Sequence, residues 1–355
     1  MSRPRPGRSS LLFFGLALLA APGQITAQNV SIPLDLWNAK LAFSSDGRVL
    51  HATGETPEPS KSQHVRAIAY SAATGAVLHT VNLEAGTTVL ATTSDGRTAI
   101  VAAGVAGSSD HTQLLRLDTE SGKTEPLPAA WYDPKDDTPE AQLSSDGRLL
   151  SIYSENGPEG RPMSVAVYAW PGKTLVARQT SQYTNAGGIF GGGVTPDGRA
   201  VEFRNNRSGS VLVDRKTGHE MASFGPGALR SPTGQWVLEL PNLSFQDESA
   251  PREVLIEDGN NGKRLGKIDV PVPDDVAYGG MSGAFCGSTP RFILASGHGV
   301  AAYAIPSGAL LASFPTDTWR DPASPNPDRA FVVCSPTAKR VAIVSGTRLT
   351  FHDLK

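Results

Sequence analysis

The chain has 355 residues, 39% of them apolar, 19% charged and 7% aromatic. Its 37 glycines and 27 prolines interrupt it too often for long helices, yet stay below the share, roughly 25–30%, that marks a disordered low-complexity chain. A net charge of −2 argues against nucleic acid as a partner, since phosphates call for a basic surface, and the length fits one large β domain or two smaller ones.

Residues 1–10 carry Arg3, Arg5 and Arg8 without an acid, and residues 11–21 form the apolar run LLFFGLALLAA. A Pro-Gly break then leads to Thr26-Ala27. A basic start, a short apolar stretch and a small residue before the cut predict a secretory signal peptide over residues 1–27, cleaved near Ala27. The apolar run is far shorter than the ~20 residues of a membrane anchor. No cysteine stands near the cut for lipid attachment. Cleavage there removes three arginines and no acid, leaving a mildly acidic mature chain. No later stretch is long and apolar enough for a transmembrane span, so the expected product is an exported protein, periplasmic or extracellular.

The remainder repeats. Ser45-Asp46-Gly47-Arg48 recurs as Ser94-Asp95-Gly96-Arg97, Ser145-Asp146-Gly147-Arg148 and Pro196-Asp197-Gly198-Arg199. Weaker copies follow at 231–235, 287–291 and 335–339. Asp-Gly between two short apolar segments is a hairpin signal, because the tight turn needs positive φ and glycine adopts it at no steric cost. A second series of alternating segments turns around Gly75, Gly122, Gly172, Gly218, Gly262 and Gly308. The four full copies of the first series and the whole of the second keep a period of 44–51 residues. Each unit therefore reads as an inner strand, an Asp-Gly turn, a second strand, a variable loop, a third strand, a Gly turn and a fourth strand. Four strands per unit at this period predict an all-β, seven-bladed β-propeller spanning residues 28–355 as one domain. The seventh unit lacks a fourth strand, and the leftover segment 30–36 (VSIPLDL) is expected to supply it and close the ring.

The paired motifs, Ser/Pro-Asp-Gly-Arg followed by Asp-x-x-Thr-Gly-Lys, resemble the bacterial WD40-like and YVTN-type propeller superfamily, which is related in structure to the heavy chains of quinoprotein amine dehydrogenases. The resemblance covers essentially the whole mature chain. It departs from the eukaryotic WD40 pattern, since no Trp-Asp dipeptide closes a blade. It also lacks the tryptophan that follows the Gly turn in pyrroloquinoline-quinone dehydrogenase repeats; His79, Glu125 and Val176 stand in that region. Such motifs define a fold that hosts many chemistries.

Asp46, Asp95, Asp146 and Asp197 recur in four units, as turn devices do and single active sites do not. The glycine-rich stretches 187–193 and 279–287 lead into turns rather than opening a helix, so they predict close backbone packing rather than a phosphate cradle. Seven histidines, at 51, 64, 79, 111, 219, 298 and 352, show no metal-ligand spacing. No Gly-x-Ser-x-Gly element is present. The sequence thus points to no catalytic residue, no metal and no cofactor. Cys286 and Cys334 are expected at matching positions, just before the sixth and seventh turns. Export permits a disulfide there, but their expected separation is borderline, and two small buried thiols is the favoured reading.

Both kinds of turn are expected on one face of the disc, which gathers the variable loops on the other: 54–64, 131–140, 155–162, 182–186, 242–251, 274–278 and 316–329. Trp131, Tyr132, Asp133, Tyr183, Tyr278, Trp319 and Arg320, beside Asp321, form the candidate binding surface, being rich in residue types that dominate binding hot spots. The alternative for the rings is packing beneath the loops. The leading expectation is a non-catalytic exported propeller binding a protein partner of the cell envelope, or an extended ligand, through the loop face. The rival is a propeller enzyme, a lactonase-like hydrolase or quinoprotein-type dehydrogenase subunit, drawing on His64, His111, Asp133, His298 and Arg320.

Overall fold

Each Asp-Gly turn is held by its own side chains. In the computed structural model Ser44 Oγ donates to Asp46 Oδ1 (2.6 Å) and accepts from the Val49 amide (3.0 Å). Asp46 Oδ1 also accepts from the Arg48 amide (3.0 Å), and together these bonds hold its carboxyl below the usual range. The same triangle recurs at Thr93/Asp95, Ser144/Asp146 and Thr195/Asp197. The aspartates are therefore turn devices, as expected. The hydroxyl two residues before each one is a partner that lies outside the Asp-Gly-Arg motif. In the weaker copies Ser231 and Ser335 keep this hydroxyl role, with Thr233 and Thr337 in the place of the aspartate.

The second turns use a different lock. The carboxylates of Asp118 and Asp214 each accept two amides of the turn that follows, and Asp258 accepts one. One further amide stitches each third strand to its own Asp-Gly turn, from Ala72 to the Arg48 carbonyl (2.9 Å) through to Leu354 on Lys339 (2.8 Å) in the seventh unit.

The structure describes residues 30–354 except 57–63, 86, 105–111, 133–139, 145, 155–161, 185–189, 206–208, 226, 241–252, 271–280, 297–298 and 324–329. The predicted signal peptide lies outside the described residues. After β1 (Val30–Pro33), the first blade holds β2 (Trp37–Phe43), β3 (Val49–Glu55), β4 (His64–Ser71) and β5 (Val77–Ala85). The second holds β6 (Thr87–Thr92), β7 (Thr98–Gly104), β8 (Thr112–Asp118) and β9 (Thr124–Pro126). The third holds β10 (Glu140–Leu143), β11 (Leu149–Ser154), β12 (Pro162–Ala169) and β13 (Thr174–Thr184). The fourth holds β14 (Phe190–Val194), β15 (Ala200–Asn205), β16 (Gly209–Asp214) and β17 (Glu220–Phe224). The fifth holds β18 (Ala228–Arg230), β19 (Trp236–Glu239), β20 (Glu253–Asp258) and β21 (Arg264–Asp269). The sixth holds β22 (Ser282–Phe285), β23 (Arg291–Ser296), β24 (Gly299–Ala304) and β25 (Leu310–Phe314), and the seventh β26 (Ala330–Cys334), β27 (Arg340–Ser345) and β28 (Arg348–Asp353). Every blade is an antiparallel four-stranded sheet in chain order, except that β1 supplies the fourth strand of the seventh. It pairs with β28 from Val30↔Phe351 to Pro33↔Arg348. The ring closes as the sequence predicts, and Leu34 and Leu36 seal it by burying beside Phe43 and Phe351.

The seven sheets stand in a ring with their first strands innermost, β2 meeting β6 on one side and β26 on the other. Strand alternation sends one set of side chains toward each neighbouring blade, so the core is divided into wedges between blades. Phe292 and Leu294, for example, pack with Leu238 and Ile256 of the blade before. Each fully buried leucine contributes about 2 kcal/mol. The triple glycine of β14 serves close packing: a Cβ on Gly193 would stand 2.0 Å from Gln142 Oε1 of the third blade, and one on Gly192 would stand 2.6 Å from Val165.

One expectation is corrected. Cys286 and Cys334 are joined in a disulfide, with Cα atoms 4.8 Å apart. They do not occupy matching positions. The Cys286 amide bonds to the Arg291 carbonyl as the Ser335 amide bonds to Arg340, so Cys286 stands where other blades carry the capping hydroxyl. Cys334 is one residue earlier, the last of β26. The bond therefore joins two neighbouring blades at positions one residue out of register.

Candidate functional site

Because neighbouring strands within each blade run antiparallel, both kinds of turn lie at one end of the sheets and the irregular connections at the other. On the turn face the same amide stitch recurs in every blade.

Of the candidate residues, Trp131 and Trp319 do not present their rings to solvent. Trp131 ends a short 3-10 turn (Ala129–Trp131) and is 8% exposed, stacked on Tyr168 of the third blade at 3.9 Å between ring centres. Trp319 ends α1 (Thr316–Trp319) and is 1% exposed, its Nε1 donating to the Phe314 carbonyl (3.4 Å). The two are built alike. Each follows a fourth strand and a proline, Pro128 or Pro315, and each fills a wedge between consecutive blades. Apolar area drives both rings inward, so they anchor connections rather than offer contacts.

Tyr132 is half-buried and its hydroxyl accepts from the Leu114 amide (3.2 Å), which ties the same connection to the second blade. The Arg320 carbonyl accepts from the Arg348 guanidinium (3.1 Å). Beside it, Asp321 is buried and accepts from the Thr347 amide and hydroxyl (both 3.0 Å) and the Ala323 amide (2.9 Å). These bonds hold the Asp321 carboxyl below its usual range. Tyr183 lies near the end of β13. Asp133 and Tyr278 lie outside the described residues, as do His111 and His298. The described candidates thus sit at separate stations around the ring, Trp131 and Tyr132 between blades two and three, Trp319 and Arg320 between six and seven. No group of three metal-binding side chains gathers among the described residues.

The inner strands contribute groups that the loop-centred reading missed. Glu140, first residue of β10, extends into the fourth blade, where Oε2 accepts from the Gly192 amide (3.3 Å) and lies 3.9 Å from the Arg204 guanidinium. A Cβ on Gly191 would stand 2.5 Å from that carboxylate, so the glycines make room for it. On β26 the alternation of AFVVC buries Ala330 and Val332 against the sixth blade and leaves Phe331 62% exposed on the opposite side. Both Glu140 and Phe331 stand where the first strands begin, at the loop-face end of the axis. That alternation was the available signal for Phe331.

No family model matches the sequence, and no curated protein matches it. Among solved structures, the β-propeller domain of Cps50 (Swd1) from Myceliophteria thermophila is similar in fold, with a TM-score of 0.55 at 12% identity. The match covers 92% of this chain and 99% of that domain. The chain therefore folds as a seven-bladed β-propeller of WD40-like architecture.

Proposed function

We propose that the chain is an exported, non-catalytic member of the bacterial WD40-like, YVTN-type propellers, and that its loop face binds a protein partner in the cell envelope. The observation that carries this reading is the difference between the two faces. On the turn face one amide stitch recurs in all seven blades, whereas the connections at the other end differ in length, and Phe331 is exposed at that end. Propellers of this architecture commonly mediate protein interactions, and loops on a rigid scaffold are where recognition diversifies. The Cys286–Cys334 disulfide supports export, because such bonds persist in oxidising compartments. The burial of Trp131 and Trp319 moves the expected contact from their rings to the inner-strand ends and to Tyr132 and Arg320.

The test is affinity capture of the tagged mature chain from its envelope fraction, with crosslinks mapped by mass spectrometry. Crosslinks are expected on the loop face. Phe331→Ser should reduce partner recovery about tenfold, the effect of removing an aromatic hot spot. Arg148→Ser, on the turn face, should leave recovery unchanged. Crosslinks confined to the turn face, or recovery of the chain alone, would overturn the reading.

A further inference from the structure

In the seventh blade no turn joins the third strand to the fourth, because β1 arrives from an earlier part of the chain. The consequence is visible at Asp353. It occupies the place of Asp118, Asp214 and Asp258, since Leu354 after it bonds to Lys339 as Thr119 bonds to Arg97. Those aspartates spend their carboxylates on the amides of the following turn. Asp353 instead accepts from Arg340, at 2.7 Å from Nε and 2.6 Å from Nη2. This junction holds a cavity of about 750 Å³, lined by Asp46 and Arg48 of the first blade and by Thr337, Lys339, Arg340 and Asp353 of the seventh. Its size lies within the range of small-molecule sites, on the order of 300–1,000 Å³.

The charges divide into spent and unspent. Asp46 Oδ1 holds the Ser44 hydroxyl and the Arg48 amide. Asp353 and Arg340 neutralise each other, and Arg340 Nη1 also donates to the Ala72 carbonyl. What remains is one well-exposed cation on each wall. The Arg48 side chain is 86% exposed and holds only a long ion pair to Asp46 Oδ2 (3.8 Å), while Lys339 is exposed and makes no ion pair among the described residues. Thr337, also exposed, lines the same cavity, its hydroxyl 3.3 Å from Ser335 Oγ.

We propose that this cavity binds a small polyvalent anion, bearing phosphate or carboxylate groups, between Arg48 and Lys339. Two cations facing one partly enclosed space concentrate positive potential there, and a guanidinium opposite an ammonium grips oxyanions by charge-assisted hydrogen bonds. The site lies on the turn face, away from the surface proposed for the protein partner, and does not depend on it.

The third blade supplies a control. Arg148 lies 3.8 Å from Asp146 and is 84% exposed, as Arg48 is beside Asp46, but its blade has its turn. Calorimetric titration of the mature chain with inorganic phosphate and with citrate, at ionic strength fixed by chloride, should show saturable one-to-one binding of at least one of them. The combined Arg48→Gln and Lys339→Gln variant should raise Kd about tenfold, whereas Arg148→Gln should leave it unchanged. Which anion binds distinguishes phosphate from carboxylate chemistry. Thermal melts of the variants in chloride alone should match the parent, because the substituted side chains are exposed. Absence of saturable binding for both anions, or an equal loss in Arg148→Gln, would overturn the proposal.

Discussion

In five blades the residue that closes the second turn is a glycine at positive φ, from 67° at Gly262 to 74° at Gly122, and in the third blade that place belongs to Lys173 at 63°. The Lys173 amide bonds to the Ala169 carbonyl as the Gly122 amide bonds to Asp118, which fixes the equivalence. The sequence reading chose Gly172, one residue early, because Gly172-Lys173 spells the same dipeptide as Gly122-Lys123 and Gly262-Lys263. A left-handed conformation costs a residue with a Cβ about 1–2 kcal/mol. Lys173 is exposed and supports no core packing. Lys173→Gly should therefore raise stability by about 1 kcal/mol in a denaturant melt, after the added backbone entropy of glycine is discounted. Lys173→Ala, which keeps the Cβ, should change little; an equal gain from both would refute the strain. Side-chain direction was the other thing hidden at this scale. Trp131 and Trp319 lie in segments correctly placed between blades, but a residue's place in a loop does not say whether its ring turns inward, and burial of apolar area decided that it does.

At the scale of the element, most of the architecture was legible because two independent turn series marked the same strands. The closure by β1 was legible too, since the seventh unit lacked one strand and residues 30–36 were one strand left over. The disulfide was not. Aligning Cys286 with Cys334 as equivalent positions concealed the offset of one residue between them, and their Cα atoms stand 4.8 Å apart. This bond ties the sixth blade to the seventh, the blade whose fourth strand is supplied by β1. Its partners are 48 residues apart, a separation for which removing the crosslink from the unfolded chain costs about 4 kcal/mol. Reduction, or the paired Cys286→Ser and Cys334→Ala variant, should lower unfolding free energy by about that amount. Denaturation of the native chain with and without reductant measures it, and coincident curves would show that the bond adds no stability. The candidate site was the least legible element. It depends on which ends of seven inner strands converge on the axis, and no single strand's sequence contains that information.

For the whole molecule, a buried histidine and a half-buried glutamate in different blades set opposing dependences on pH. His352 packs edge-on against Phe314 across the boundary between blades six and seven, and its buried Nε2 has no hydrogen-bond partner among the described residues. Burial pushes its pKa down to about 4 from 6.5, beyond what the neighbouring Asp353 restores. The unfolded chain therefore takes up this proton first, and stability is lost as pH falls from 6.5 toward 4. Glu257 of the fifth blade behaves in the reverse sense. Burial, then the charge and hydrogen bond of Glu239, raise its pKa from 4.5 to about 7, with Arg264 opposing. Here the folded chain holds the proton longer, and stability is lost as pH rises from 4.5 toward 7. The two windows overlap, so in the native chain these slopes largely cancel between pH 4.5 and 6.5. Substitution should uncover each one. His352→Leu leaves the Glu257 slope, and stability should then decline as pH rises through this window. Glu257→Gln leaves the His352 slope, and stability should decline as pH falls, by on the order of 2 kcal/mol after allowance for residual solvation. Denaturant midpoints of the three proteins across a pH series decide the matter: profiles that diverge in opposite directions from the native one support the pairing, and three parallel profiles would show that neither group is linked to folding.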